Sequence, residues 1–153
     1  MLVVDTSVAA RWVIGGDDPL ASGETAVALT LLTRRLIAPD LLTAEFANVM
    51  WKKVRTKEID ATQARESVAI LPDLIDLIPT APLAGRALDI SLALDHPAYD
   101  CFFLATAEML ETVVVTADRK LVRRCADTPF AALVLGLMDR PSWSDWQDSP
   151  LAP

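Results

Sequence analysis

Histidine and cysteine are scarce in this chain, and each shortage excludes a kind of chemistry. His96 is the only histidine among 153 residues, so catalysis by two histidines acting as general acid and base is excluded. A lone histidine before a proline is more often a structural residue near a helix end than a catalyst. Cys101 and Cys125 are the only cysteines and show no C-x-x-C spacing. We expect neither a zinc site nor a redox pair, and interpret both as small buried apolar residues.

Long apolar runs are also missing. The longest strongly apolar run, residues 130–138, is far shorter than the roughly 20 residues that a membrane span needs. The N-terminus has no basic segment followed by an apolar stretch and a cleavage site, so we expect a cytoplasmic protein. Hydrophobic residues make up 52% and charged residues 23%, as in compact domains, and the length suits one domain.

Positive charge is in deficit: 14 Lys and Arg face 21 Asp and Glu, for a net charge of -7 and a pI near 4.6. This balance argues against a protein that coats nucleic acid through bulk charge. Most basic residues nevertheless fall within residues 34–57 and 119–124. These segments are either two solvated helix faces or parts of a phosphate-binding patch, and both readings stay open unless the segments prove to be neighbours.

What the sequence does have begins at its first residues. Residues 1–4 are apolar and end at Asp5, and Thr6 and Ser7, two residues able to cap a helix, follow at once. This pattern predicts a buried parallel strand that delivers Asp5 to its carboxyl end. Ligands of open α/β sheets bind at that end of the strands.

Helical and strand patterns alternate along the rest of the chain. We expect helices over residues 7–14, 20–35, 41–55, 60–72, 82–94, 99–107 and from 118, strands over 1–4, 36–38, 77–78, 113–116 and 131–135, and a turn over 15–19. Asp40 and Asp60 are each expected to cap the helix that follows. The order β-α-α-β-α-α-β-α-α-β-α-β predicts an α/β fold with a mainly parallel sheet and helices on both faces.

Four carboxylates are expected to meet at the carboxyl edge of this sheet. Asp5 ends the first strand, Glu45 lies early in the helix after the second, and Asp100 and Asp118 lie at helix starts on either side of the fourth. Glu45 borders an apolar helix stripe, and Asn48 is placed to orient it. Each carboxylate also has a simpler reading: Asp5 as a helix cap, Asp100 and Asp118 as dipole-favoured helix starts, and Glu45 as a solvated edge residue.

Crowded carboxylates repel one another unless a cation neutralises them. Mg²⁺ or Mn²⁺ prefers such oxygen ligands, keeps several waters, and can activate water and stabilise an attacked phosphoryl group. The constellation therefore suggests metal-dependent phosphodiester hydrolysis. Thr116 could hydrogen-bond one of the carboxylates, although a threonine in a strand is usually there for its β-propensity.

Four segments of the chain resemble the signatures of PIN-domain nucleases, and most closely those of the VapC-type toxin ribonucleases of VapBC toxin-antitoxin pairs. They are Val3-Val4-Asp5-Thr6-Ser7, Ala44-Glu45-Phe46-Ala47-Asn48-Val49, His96-Pro97-Ala98-Tyr99-Asp100-Cys101-Phe102-Phe103-Leu104-Ala105 and Thr116-Ala117-Asp118. The resemblance covers residues 1–137 as a PIN-like nuclease domain. Residues 138–153 form a C-terminal tail, with Trp143 and Trp146, to which it assigns no role.

The resemblance implies a five-stranded parallel sheet, dependence on Mg²⁺ or Mn²⁺, RNA cleavage, homodimers and inhibition by a small cognate antitoxin. It makes Asp5, Glu45, Asp100 and Asp118 the catalytic, metal-binding residues. Asn48, Thr116 and Thr6 support them. The basic residues that would then contact RNA are Arg34, Arg35, Lys52, Lys53, Arg119 and Lys120.

Other classes fit less well. A haloacid-dehalogenase-type phosphatase needs a second aspartate two positions after the first, and that position is Ser7. No G-x-x-x-x-G-K-[ST] motif supports a P-loop nucleotidase. A stand-alone metal-dependent phosphohydrolase and a non-catalytic PIN-like scaffold that binds a partner both remain as alternatives.

Overall fold

A five-stranded sheet organises the molecule. The computed structural model describes residues 1–13 and 23–139. Within them the strands are β1 (Leu2–Val4), β2 (Leu36–Pro39), β3 (Asp76–Ile78), β4 (Val114–Thr116) and β5 (Val134–Gly136). The spatial order is β3-β2-β1-β4-β5, and every hydrogen-bonded pair is parallel. The expected α/β fold with a parallel sheet is confirmed.

Seven α-helices connect the strands in the described parts of the chain. They are α1 (Thr6–Ala9), α2 (Gly23–Thr30), α3 (Leu41–Arg55), α4 (Ala61–Leu74), α5 (Ala84–Leu94), α6 (Ala98–Met109) and α7 (Arg119–Cys125). Short 3-10 turns follow α1 and α2, at Ala10–Trp12 and Leu31–Thr33. Two more precede α5 and β5, at Ala81–Leu83 and Ala131–Leu133. The order of strands and helices agrees with the order that the sequence predicts.

The core lies on both faces of the central strand. All three residues of β1 are fully buried, as expected for an apolar strand between two parallel neighbours. The predicted stripe of α3 is also present, since Leu42, Phe46 and Met50 are buried. Burying one such large apolar side chain contributes about 1.5–3 kcal/mol. This packing holds α3 against the sheet and thereby places Glu45.

The two aspartates expected to cap helices behave differently. Asp60 accepts a hydrogen bond from the backbone N–H of Gln63 at 2.8 Å, so its capping of α4 is confirmed. Asp40 has helical backbone angles, φ -62° and ψ -15°, rather than the extended ones of a capping residue, and does not cap α3. Its carboxylate instead accepts the N–H of Thr80 at 3.0 Å, which ties the end of β2 to the segment after β3. The capping prediction for Asp40 is therefore wrong.

Proline marks boundaries less strictly than expected. Helix α4 continues through Pro72 to Leu74, because buried Leu71 and Ile75 anchor this segment to the core. Pro39 belongs to β2. It has no N–H to donate, but the bond to the carbonyl of Ile78 in β3 comes from the N–H of Asp40, so no bond to β3 is lost.

The last strand begins three residues later than expected, since residues 131–133 form a 3-10 turn.

Several expectations fall outside the described residues. These are the helical residues Ile14 and 20–22, the turn over 15–19, and the tail from residue 140 onward. Where the structure does describe helices, none is long and apolar enough to cross a bilayer.

Cys101 and Cys125 are free, buried thiols, as expected, and burial raises the pKa of Cys101 to about 11.

Candidate active site

Asp5 lies directly after β1 and is only 8% exposed. Its Oδ1 accepts hydrogen bonds from the Ser7 N–H at 2.9 Å, the Ser7 hydroxyl at 2.5 Å and the Val8 N–H at 3.2 Å. Asp5 thus caps α1, as its simpler reading anticipated. Its Oδ2 faces the neighbouring strand and accepts a hydrogen bond from the Thr116 hydroxyl. The carboxylate therefore joins two strand ends as well as capping a helix.

Burial raises the pKa of Asp5 from 3.8 to about 6, although the bonds from Ser7, Thr116 and Val8 act in the opposite direction. The desolvation of the charged form therefore outweighs the hydrogen bonds that stabilise it. A positive ion beside this carboxylate would lower its pKa again. Burial in the fold therefore disfavours the charged form of Asp5, and a bound cation would stabilise it.

Thr116 links Asp5 to Asp118. Its Oγ1 donates to Asp5 and accepts the backbone N–H of Asp118 at 2.9 Å, so the expected hydrogen bond from Thr116 to a carboxylate is present. Ser7 closes the arrangement by accepting the N–H of Ala117 at 2.8 Å. Asp118 also caps α7 through the N–H of Lys120 at 2.7 Å. These bonds fix the β4–α7 junction against the β1–α1 junction.

Glu45 reaches the same edge of the sheet from α3. The Thr6 hydroxyl donates to its Oε2 at 2.5 Å, which joins Glu45 to the residue that follows Asp5. Burial raises the pKa of Glu45, the Thr6 bond partly offsets this, and the negative charge of Asp100 adds to the rise. Glu45 and Asp100 therefore lie within electrostatic reach of each other.

Asp100 occupies the first turn of α6, as expected. Its Oδ2 lies 2.6 Å from Nε2 of His96. The structure thus brings the four residues toward one edge of the sheet. The Thr116 hydroxyl bonds the Asp5 carboxylate and the backbone N–H of Asp118, Thr6 follows Asp5 and bonds Glu45, and the charge of Asp100 acts on Glu45. Asn48 is exposed, and no hydrogen bond joins it to Glu45 within the described chain.

Two polar residues of this network make contacts beyond those that the sequence predicts. Ser7 was interpreted only as a helix cap, yet it both donates to Asp5 and accepts from the β4–α7 junction. His96 was interpreted as structural, yet it contacts Asp100. The spacing of four residues between His96 and Asp100, about one helical turn, was the available signal for that contact.

The donor set fits a hard divalent ion better than any other metal. Every candidate ligand is a carboxylate oxygen, which Mg²⁺ and Mn²⁺ prefer. Among residues 1–13 and 23–139, no three His, Cys, Asp or Glu side chains are arranged to enclose a metal. Mg²⁺, however, is usually held by one or two protein carboxylates plus waters and substrate phosphates. An open site with one buried, desolvated carboxylate is compatible with that mode of binding.

The basic residues do not form one patch. Arg35 precedes β2 at the opposite, amino edge of the sheet and pairs with Asp76 at 2.9 Å, and Arg34 lies beside it. Lys52 and Lys53 lie near the far end of α3, about 10 Å along the helix axis from Glu45. Lys53 donates to the carbonyl of Val13 at 3.2 Å. The remaining two candidates, Arg119 and Lys120, begin α7 beside Asp118.

Comparison with known proteins agrees with this geometry. Residues 2–127 match the model of the PIN domain. Over 109 residues the chain is 34% identical to Ribonuclease VapC1 of Mycobacterium tuberculosis strain H37Rv, covering 68% of this chain and 80% of that protein. The chain belongs to the PIN-domain family.

Solved structures show the same fold at lower sequence identity. PAE2754 from Pyrobaculum aerophilum aligns with a TM-score of 0.64 and 21% identity, over 89% of this chain and 83% of that chain. VapC20 of Mycobacterium tuberculosis, a toxin that cleaves the sarcin-ricin loop, aligns with a TM-score of 0.57 and 14% identity, over 76% of this chain and 88% of that chain. A chain of a toxin-antitoxin complex from Klebsiella pneumoniae aligns with a TM-score of 0.59 and 17% identity, over 90% of this chain and 98% of that chain.

Proposed function

We propose that this protein is a divalent-metal-dependent endoribonuclease and the toxin of a toxin-antitoxin pair. The proposal is supported by the buried Asp5 carboxylate at the carboxyl edge of a PIN-domain sheet, with Glu45, Asp100 and Asp118 on the elements that reach the same edge. The 34% identity to a ribonuclease supports RNA as the substrate.

Each residue has a definite part in this proposal. Asp5 and Asp100 supply carboxylate oxygens for Mg²⁺ or Mn²⁺, with Asp118 and Glu45 completing the acidic site. Thr116 and Ser7 hold Asp5, and Thr6 holds Glu45. When bound, the metal activates a water molecule and stabilises charge on the attacked phosphodiester. Arg119 and Lys120 lie where they can contact the phosphates of a bound RNA.

The proposal extends to partners and location. A small cognate antitoxin is its inhibitor, as the toxin-antitoxin complex with this fold suggests. The protein acts in the cytoplasm as a homodimer, with residues 1–137 as the nuclease domain and 138–153 as a tail. Mass measurement of the purified chain in solution tests the dimer, and co-purification with the product of an adjacent small reading frame tests the antitoxin.

Cleavage of RNA by the purified protein tests the enzymatic part. We expect cleavage with Mg²⁺ or Mn²⁺ and none with EDTA. Asp5→Asn and Asp100→Asn should each abolish cleavage while leaving the circular dichroism spectrum unchanged. Asp73→Asn, at an exposed position of α4, is the matched control and should cut normally.

Cell growth tests the toxin part. Induction of the wild-type chain should arrest growth, and induction of Asp5→Asn should not. Cleavage that persists with EDTA and in both site variants would refute the metal site. Growth arrest by Asp5→Asn equal to that by the wild type would instead favour a scaffold that acts by binding alone.

A further inference from the structure

His96 lies at the α5–α6 connection with its side chain only 15% exposed, and its Nε2 approaches Asp100 Oδ2 at 2.6 Å. An ionised carboxylate can only accept hydrogen bonds. With an ionised Asp100, Nε2 is the atom that carries the proton and donates the hydrogen bond. The bond is a charge-assisted one, which is roughly twice as strong as a bond between neutral groups.

The backbone beneath His96 is held from two directions. The Ser91 hydroxyl donates to the His96 carbonyl at 2.6 Å, and the His96 N–H donates to the Ser91 carbonyl at 3.1 Å. From α7, the Arg124 guanidinium donates to the carbonyls of Leu94 at 2.5 Å and Asp95 at 2.7 Å. Asp95 itself is left-handed, with φ 47°, and turns the chain sharply at the end of α5.

These contacts fix the backbone from which the His96 ring reaches Asp100. A ring on a free loop would lose its hydrogen bond as the loop moves. Here the carbonyl and N–H of His96 are bonded, and the two preceding carbonyls accept hydrogen bonds from Arg124 of α7, the helix that Asp118 caps. The backbone next to His96, the partner of Asp100, is thereby bonded to α7.

We infer that His96 is a positioning residue that holds the Asp100 carboxylate in the orientation that serves the metal site. The inference rests on the proposed function, because it assigns a partner to one of its metal ligands. Asp100 is partly exposed and lies near the negative charge of Glu45, and its hydrogen bond with His96 is the contact that opposes its turning to solvent. Partners of metal ligands typically change metal affinity or activity by 10–100-fold when they are removed.

The simpler alternative is that His96 only stabilises the start of α6. Two substitutions separate the readings. His96→Gln retains an N–H donor close to the position of Nε2, whereas His96→Leu retains similar bulk without a donor. A positioning role requires the donor, and a purely packing role does not.

The ring of His96 can be observed directly because it is the only histidine in the chain. Long-range ¹H–¹⁵N spectra of the metal-free protein should show a proton on Nε2 of this ring. Asp100→Asn should shift these signals, and Asp73→Asn should leave them in place. A ring with its proton on Nδ1, or signals unchanged by Asp100→Asn, would overturn the inference.

Mn²⁺ binding, followed by electron paramagnetic resonance, tests the consequence. We expect His96→Leu to weaken binding by about 10-fold or more and His96→Gln to restore most of it. Arg86→Gln is the structural control, because it removes the Arg86–Glu108 ion pair at 2.6 Å between α5 and α6 and should leave Mn²⁺ affinity unchanged.

The outcomes distinguish this inference from the proposed function. If the wild type binds Mn²⁺ and cuts RNA, and His96→Leu does both equally well, the positioning role is refuted and the nuclease stands. If the wild type neither binds Mn²⁺ nor cuts RNA, the proposed function fails and the positioning role falls with it. Equal weakening by His96→Leu and Arg86→Gln would mean that helix packing, not the hydrogen bond, sets the affinity.

Discussion

Asp5 shows how one buried carboxylate can serve both the fold and a site. Its hydrogen bonds to Ser7, Val8 and Thr116 cap α1 and tie β1 to β4, yet its pKa is raised to about 6 because burial outweighs them. A residue present only for stability would be expected to gain from its charge. Asp5 instead has a charged form that the metal-free fold disfavours, which is common at functional sites.

A pH dependence follows from the direction of this shift. Because the folded pKa lies above the unfolded value of 3.8, the native state binds the proton more tightly, and stability falls as pH rises from about 4 to about 6. In EDTA above pH 7 we expect Asp5→Asn to be more stable than the wild type, by on the order of 3 kcal/mol at most. Urea unfolding at several pH values measures this. A difference that persists undiminished below pH 4 would contradict the explanation.

Thr116 offers a test of how Asp5 and Asp118 are held. Thr116→Val keeps the shape of the side chain but removes the donor to Asp5 and leaves the Asp118 N–H without its acceptor. Leaving a buried group unsatisfied costs about 1–3 kcal/mol. We expect this loss of stability together with a fall in RNA cleavage of at least 10-fold. Thr116→Ser, which keeps the hydroxyl, should recover most cleavage; equal cleavage by both variants would exclude a role for the hydroxyl.

The sequence placed Asp5, Glu45, Asp100 and Asp118 at one edge because their positions follow from strand ends and helix starts. The contact of Ser7 with Ala117 depends on side-chain rotamers and turn geometry, whereas the contact of His96 with Asp100 has one local signal, the spacing of four residues. The local sequence pattern predicts which strand end or helix start a residue occupies. It does not predict which hydrogen bond a short polar side chain will choose among several partners within reach.

At the level of helices and strands, the comparison of Asp40 and Asp60 shows the same limit. Both precede helices, but only Asp60 has the extended backbone of a capping residue. The pairing of β2 with β3 places Asp40 beside Thr80, and the Asp40 carboxylate accepts the Thr80 N–H, although the two residues are far apart in sequence. Similarly, α4 passes through Pro72 because Leu71 and Ile75 are buried. In both places tertiary packing decides over local preference.

These two aspartates also yield a prediction for stability. Asp60→Ala removes the cap of α4 and should lower the free energy of unfolding by about 1 kcal/mol. Asp60→Ser, which keeps a capping oxygen, should lose much less. RNA cleavage should be unchanged in both, because α4 carries no site residue. Chemical denaturation measures the first effect, and a loss of cleavage without a loss of stability would contradict this placement.

For the whole molecule, the distribution of charge matters more than its total. The net charge of -7 disfavours broad binding to RNA, and the structure separates the basic residues between the two edges of the sheet. Of the six basic residues expected to contact RNA, Arg119 and Lys120 directly follow Asp118. This arrangement suits local recognition of one RNA segment rather than coating of a long one.

A matched pair of double variants tests this separation. Arg119→Gln with Lys120→Gln should weaken RNA binding and reduce its dependence on salt, because fewer phosphates are neutralised. Arg34→Gln with Arg35→Gln removes the same charge at the amino edge and should leave binding nearly unchanged. Binding of a labelled RNA at several salt concentrations measures both. The opposite ranking of the two double variants would place the RNA on the other edge of the sheet.

Anomalous diffraction from crystals soaked in Mn²⁺ tests most directly whether Asp5, Glu45, Asp100 and Asp118 form a divalent-metal site. We expect an anomalous peak within coordination distance of carboxylate oxygens of Asp5 and Asp100, and its loss in Asp5→Asn crystals. No peak at this edge of the sheet, or a peak that persists unchanged in both Asp5→Asn and Asp100→Asn, would contradict the claim.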